Sequence, residues 1–89
     1  MRRILFVDDE TSILDGLKRM LRPMRAEWDM AFATGGETAL SMLGAAPFDV
    51  IVTDMRMPGM DGASLLEVVR EKYPNMLRII LSGYTELQA

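Results

Sequence analysis

The sequence predicts an α/β fold built on a parallel, doubly wound sheet. Short apolar runs of the kind found in buried strands stop at acidic or turn residues, and amphipathic segments with helical spacing lie between them. This strand-helix alternation continues along the whole chain without an internal repeat or a low-complexity linker. Such alternation is typical of right-handed βαβ units, which place their strands in parallel.

Composition indicates one small domain. The chain has 89 residues, of which 49% are hydrophobic and 26% are charged, and it has no cysteine. The lack of cysteine fits a reducing, cytoplasmic location. Only four apolar residues separate the basic start from Asp8, too few for a signal peptide or a membrane span. The net charge of −3 argues against a nucleic-acid-binding surface in this segment, and we also expect no membrane contact.

The first half of the chain predicts two strands around one helix. An apolar run at Arg3–Val7 is assigned to β1, and helical spacing predicts α1 over residues 12 to 24, with Thr11 or Ser12 as its N-cap. Alternating residues at 27 to 33 predict β2, a half-exposed edge strand.

The second half predicts two more helices and two more strands. Thr34–Glu37 has the form of a capping box that opens α2, which ends at Gly44. The later elements are β3 at residues 48 to 53, α3 from residue 61 to Pro74, and β4 at residues 76 to 81. We expect a turn at Ser82–Tyr84 and the first turn of another helix at Thr85–Ala89.

Four basic residues cluster at the far end of α1, namely Lys18, Arg19, Arg22 and Arg25. Cations at a helix C-terminus complement the helix dipole, so a solvated helix end is the simpler interpretation. A patch that binds a partner is the alternative.

Polar residues follow three of the predicted strands. Asp8 and Asp9 follow β1, Asp54 follows β3, and Ser82 follows β4. Taken singly, each acid is better explained as a helix-capping or strand-ending residue, and Ser82 as a turn residue. Ligands of doubly wound sheets bind beyond the carboxyl ends of the strands, and the three acids should converge there if β1 and β3 are neighbours. Crowded carboxylates raise one another's pKa unless a cation or a shared proton compensates their charge, and a hard divalent ion with oxygen ligands is the usual solution. The sequence therefore predicts a Mg²⁺ site.

Three segments carry a family resemblance. Ile4–Glu10, Val50–Gly62 and Ile79–Gly83 resemble the successive signatures of response-regulator receiver domains, the phosphorylated modules of two-component signalling. The resemblance spans the whole chain. It implies a flavodoxin-like, three-layer α/β/α fold with strand order 2-1-3-4 and no fifth strand.

The resemblance also implies roles for the polar residues. Asp54 is the expected phosphoacceptor, which receives the phosphoryl group from a histidine kinase or a phosphotransfer protein. Asp8 and Asp9 are expected to bind Mg²⁺, Asp9 more directly, together with Asp54 and the backbone carbonyl of Arg56. Ser82 is expected to contact the phosphoryl group. The implied activity is autophosphorylation and autodephosphorylation, which serve signalling rather than metabolism.

The sequence departs from the family pattern at its C-terminal end. We assign residues 1 to 89 to a receiver domain that lacks the fifth strand and the fifth helix of the family. The family's fifth strand carries a lysine, and neither Lys18 in α1 nor Lys72 in α3 corresponds to it. A phosphorylation-incompetent pseudo-receiver that acts as an interaction module is therefore the alternative function. We also expect self-association, through apolar surface that the fifth strand and the fifth helix would cover in a complete receiver domain. A haloacid-dehalogenase-like phosphatase is disfavoured, because its second aspartate would occupy the position of Glu10.

Overall fold

The computed structural model describes residues 1 to 81 and shows a four-stranded parallel sheet in the order β2-β1-β3-β4. The strands and helices are β1 Arg2–Val7, α1 Thr11–Met20, a 3₁₀ helix Arg22–Ala26, β2 Trp28–Ala33, α2 Gly36–Ala45, β3 Val50–Asp54, α3 Gly62–Lys72 and β4 Leu77–Leu81. The predicted fold class and strand order are confirmed. None of the helices within residues 1 to 81 combines the length and apolar character needed to cross a bilayer.

The two central strands are buried on both faces, which explains their unbroken apolar runs. One face packs on α2 and α3 around the fully buried Leu5, Ile51 and Leu65. The other face packs on α1, with Ile4, Phe6, Leu14, Val50 and Val52 as its buried residues. Two separate cores, one on each side of the sheet, give the three layers.

The predicted end of α1 is wrong. The α-helix stops at Met20 and a 3₁₀ helix runs from Arg22 to Ala26, where the spacing had indicated a single helix to residue 24. Pro23 explains the difference, because it has no N–H to donate and its ring clashes with the carbonyl four residues earlier in an α-helix. The predicted N-cap is also wrong: Glu10 occupies that position without a side-chain capping bond, and Thr11 is the first helical residue.

The predicted capping box of α2 does not form. Gly35 is the N-cap, the helix begins at Gly36, and no side chain caps it. Met60 packs directly over Gly36, with its Sδ only 2.9 Å from the place that a Cβ would occupy. The first residue of α2 is thus in contact with a residue 24 positions later in the sequence.

The N-terminus of α3 lies at the predicted place. Asp61 is its N-cap, and Oδ1 of Asp61 accepts a hydrogen bond of 2.8 Å from the backbone N–H of Ser64. This bond to the ionised carboxylate lowers the pKa of Asp61. It fixes the end of the loop that joins β3 to α3.

The strand boundaries differ slightly from the prediction. β1 begins one residue early, β2 and β4 each one residue late, and β3 two residues late, and β3 includes Asp54 itself. β2 is an edge strand, as predicted. The turn expected at Ser82–Tyr84 and the helix start expected at Thr85–Ala89 lie outside the described residues.

Candidate functional site

Two neighbouring strands bring three carboxylates to one edge of the sheet. β1 and β3 pair in parallel with Val7 opposite Thr53, so the strands end level with each other. Asp8 and Asp9 follow β1, and Asp54 ends β3. One carboxylate oxygen from each of these acids lies within 4.8 Å of the others. The sequence could predict this convergence only if β1 and β3 were neighbours, and the structure shows that they are.

The three acids differ in their surroundings. Asp8 is 9% exposed, Asp54 is half-buried, and Asp9 is exposed. The backbone N–H of Asp8 donates to the carbonyl of Ala33 at 3.1 Å, and Oδ1 of Asp8 accepts from the N–H of Glu10 at 2.9 Å. Asp8 is therefore held through its backbone and its side chain, whereas the Asp9 side chain is accessible from solvent.

Burial raises the pKa of the Asp8 carboxyl. The hydrogen bond from Glu10 opposes this rise, and the negative charges of Asp54 and Asp9 add to it. The cluster is thus electrostatically unfavourable by itself. A bound cation would relieve the repulsion, and an all-oxygen set of donors suits a hard divalent ion.

A shallow cavity of about 480 Å³ opens over the acids. Its other lining residues are Glu10, Ile13, Arg56 and Leu81. Arg56, whose backbone carbonyl the resemblance names as a ligand, therefore borders the acids. Ser82 lies outside the described residues. Within residues 1 to 81, no lysine lines this cavity.

The loop after Asp54 closes on Gly62, the first residue of α3. The N–H of Gly62 donates to the carbonyl of Met55 at 2.8 Å. A Cβ at Gly62 would overlap the carbonyl oxygen of Asp54 and lie 2.9 Å from the Cα of Met55. Gly62 therefore lets the start of α3 approach the backbone of the acid cluster. Its position next to the N-cap Asp61 was the signal available in the sequence.

Buried polar atoms support Asp54 from its own strand. Thr53 is fully buried, and its hydroxyl donates to the carbonyl oxygen of Asp54 at 3.0 Å. No buried side-chain nitrogen or oxygen within residues 1 to 81 lacks a hydrogen-bond partner. The backbone that presents Asp54 is thus anchored by Thr53 on one side and approached by Gly62 on the other.

Comparison with known proteins assigns the family. The family model for the response regulator receiver domain matches residues 4–89. The chain belongs to the response regulator receiver family. This confirms the resemblance carried by its three sequence signatures, and it places the receiver in two-component signalling.

Relatives and solved structures agree with this assignment. The receiver is 40% identical over 83 residues to the hydrogenase transcriptional regulatory protein HoxA of Cupriavidus necator and 35% identical over 83 residues to the DNA-binding transcriptional regulator NtrC of Salmonella typhimurium. These matches cover 93% of the receiver but only 17% of either relative.

Two structures of similar fold are the signal receiver domain of an HD domain-containing protein from Pseudomonas fluorescens Pf-5 and the response regulator TrrA of Thermotoga maritima in complex with Mg²⁺-BeF. The first has a TM-score of 0.88 at 32% identity, covering 98% of the receiver and 68% of that chain. The second has a TM-score of 0.86 at 32% identity, covering 99% and 75%.

Replacing Asp8 by asparagine is expected to raise the melting temperature of the metal-free receiver. The raised pKa means that ionised Asp8 opposes folding at neutral pH, and this cost disappears as the pH falls through that raised pKa. Asparagine keeps an Oδ1 that can accept from Glu10 but removes the charge. Thermal melts in a chelator at several pH values measure the effect, which should shrink toward acidic pH.

Asp15→Asn is the matched control for this prediction, because it removes the same charge from an exposed position on α1 that is outside the cluster. An equal rise in melting temperature for Asp15→Asn would mean that net charge, and not the cluster, limits stability. The interpretation is wrong if Asp8→Asn lowers the melting temperature at neutral pH.

Proposed function

We propose that this receiver takes a phosphoryl group from a histidine kinase or a phosphotransfer protein onto Asp54. The observation that carries the proposal is the set of three carboxylates with oxygens within 4.8 Å at the edge of the sheet. Family membership supports it, since receivers serve two-component signalling. The expected cytoplasmic location belongs to the same proposal.

The donor set fits Mg²⁺. Carboxylates of Asp8, Asp9 and Asp54, with the backbone carbonyl of Arg56, are hard oxygen ligands, and the charge repulsion at Asp8 favours cation binding. The Mg²⁺-BeF complex of TrrA, a similar structure, is consistent with this assignment. When bound, Mg²⁺ would neutralise negative charge on the phosphoryl oxygens.

The reaction follows from the position of Asp54. A carboxylate oxygen of Asp54 attacks the phosphorus of the phosphohistidine, the new P–O bond forms, and the P–N bond breaks with its electron pair left on the imidazole. The product is an acyl phosphate, a labile mixed anhydride. Water then hydrolyses it to inorganic phosphate and restores the carboxylate. In the proposal, Ser82 contacts the phosphoryl group.

A pseudo-receiver that binds partners without accepting phosphate is the second candidate. The observation in its favour is that no lysine within residues 1 to 81 lines the acidic cavity. Lys18 lies in α1, and Lys72 borders a cavity at the opposite end of the sheet. The described part of the chain therefore supplies only Arg56 as a cationic side chain at the site.

Intact mass spectrometry after incubation with Mg²⁺ and acetyl phosphate tests the proposal. We expect a gain of one phosphoryl group that a chelator prevents and that hydroxylamine removes, because hydroxylamine cleaves acyl phosphates. Absence of the gain, in a receiver whose melting temperature Mg²⁺ still raises, would identify the pseudo-receiver.

Exposed apolar residues on β4 support the expected self-association. Leu77 is 59% exposed and Leu81 is 48% exposed, and Ile13 of α1 is also exposed. Such a surface favours contact with a second copy, so self-association stays a prediction that light scattering at several concentrations measures.

A further inference from the structure

A second concave surface lies beside the edge strand β2. It is a cavity of about 530 Å³ between the C-terminal end of α1, the 3₁₀ helix and β2. We call it the β2 groove, and its defining residues are the cations Lys18, Arg22 and Arg25 and the apolar side chains Trp28, Met30 and Phe32. It shares no lining residue with the acidic cavity, so whatever it binds can bind independently of Asp54.

The cations of the β2 groove are only partly explained by a helix end. Arg22 and Arg25 lie beyond Met20, where α1 stops, and are exposed without an ion pair within residues 1 to 81. Lys18 Nζ is 3.9 Å from the Asp15 carboxylate, and it also lies 5.1 Å from the centroid of the Phe32 ring.

The acidic residue in the groove is already neutralised. Asp29 pairs with Arg3, with 3.0 Å between its Oδ2 and the Nε of Arg3. The β2 groove therefore carries a positive charge, although the whole chain has a net charge of −3. This local reversal of sign favours an acidic ligand.

The floor of the groove is apolar and fixed in position. Trp28, Met30 and Phe32 point to the same face of β2 and are half-buried. The Phe32 ring stacks on the ring of Phe6 in the core, with 5.2 Å between the centroids. Trp, Met, Phe and Arg are the residue types enriched at protein interfaces.

The strand beside the groove has one free edge. β2 pairs with β1 alone among the strands of the described chain, so its outer backbone N–H and C=O groups have no sheet partner. An extended peptide can satisfy such groups by adding a strand. A lipid headgroup or a nucleic acid cannot pair with them in this way.

We propose that the β2 groove binds an extended, acidic segment of a partner protein, which adds a strand beside β2. Every second side chain of the segment faces the groove. Acidic side chains among them meet Arg22, Arg25 and Lys18, and apolar ones pack on Trp28 and Met30. A concave floor and an open strand edge favour a peptide over a flat anionic membrane.

The fluorescence of Trp28 gives a direct test, because it is the only tryptophan in the sequence. The probe is a short capped peptide in which every second residue is threonine and the residues between are glutamate and leucine in turn, so that one face carries both side-chain types. It is titrated into the full 89-residue chain. We expect a saturable change in Trp28 emission with this peptide. A control peptide with lysine in place of each glutamate should give no such change. Arg22→Glu is expected to weaken binding by about tenfold or more, since it replaces an attraction by a repulsion.

Arg19→Glu is the matched control. Arg19 is also exposed at the end of α1 and gives the same change of charge, but it does not line the groove. Equal weakening by both variants would overturn the proposal, because net charge alone would then explain binding. No saturable change would also overturn it, as would tighter binding of anionic vesicles or of a single-stranded oligonucleotide.

A backbone-methylated version of the same peptide tests the added strand. Methylation at alternate residues removes N–H donors on one edge of the peptide without altering its charge. We expect methylation on one of the two alternate sets to abolish binding and on the other to leave it unchanged. Unchanged binding of both versions would overturn strand addition.

Discussion

Replacing Asp54 by asparagine is expected to abolish phosphoryl uptake. Asparagine is nearly isosteric with aspartate, but its amide lacks the anionic oxygen that attacks phosphorus and forms the acyl phosphate. Asp54 is half-buried at the end of β3, so the change should leave the sheet intact. Intact mass after incubation with Mg²⁺ and acetyl phosphate should show a phosphoryl gain in the parent chain and none in the variant.

Asp61→Asn is the matched control for this experiment. Asp61 lies in the same loop region, is exposed, and belongs to the N-cap of α3 rather than to the acid cluster. Asparagine is an equally good N-cap residue, so this variant should fold and be phosphorylated like the parent. Full uptake by Asp54→Asn would show that another residue is the acceptor.

Replacing Gly62 by alanine is expected to have the largest effect on stability of any small substitution near the site. The added Cβ would overlap the carbonyl oxygen of Asp54 and approach the Cα of Met55 to 2.9 Å. Both obstacles are backbone atoms, which cannot rotate away as a side chain can. Overpacking of this kind costs about 1–3 kcal/mol, and for a domain of this size this lowers the melting temperature by roughly 4–24 °C.

The same substitution should weaken Mg²⁺ binding. The displaced backbone belongs to Asp54 and to the residues that follow it, among them Arg56, the proposed carbonyl ligand. Mg²⁺ titration followed by the rise in melting temperature measures this effect in variant and parent. A loss of stability without any change in the Mg²⁺ response would mean that Gly62 supports the fold but not the site.

Gly44→Ala separates steric overlap from the general effect of replacing glycine. Gly44 lies within α2, and a Cβ there would meet no atom within 4 Å. Alanine is favoured over glycine in a helix by about 0.5–1 kcal/mol, so this variant should be slightly more stable than the parent. Comparable destabilisation by Gly44→Ala and Gly62→Ala would contradict the steric explanation.

Elements with strong local patterns were predicted well. The apolar runs of β1 and β3, each followed by an aspartate, predicted strands within two residues of their observed limits, because burial on both faces favours unbroken apolar runs such as Ile4–Val7 and Val50–Val52. The start of α3 was also correct, since Asp61 caps it through its own side chain. These features depend on neighbours in sequence.

Elements whose limits depend on distant contacts were predicted less well. The Thr34–Glu37 pattern matched a capping box, yet α2 begins at Gly36 beneath Met60. The helical spacing of α1 continues past Met20, but the α-helix stops there because Pro23 disfavours the α-helical turn before it. Residue types alone did not reveal which of two competing local arrangements would form.

The sequence by itself determined the order of elements, the carboxylates at the strand ends and, through three signatures, the family. The tertiary structure decided that β1 and β3 are neighbours, which brings Asp8 and Asp54 together. It also decided that Gly62 must lack a side chain and that Arg22 and Arg25 border an apolar groove. Periodicity and capping signals extend over a few residues, whereas these approaches join residues far apart in the chain.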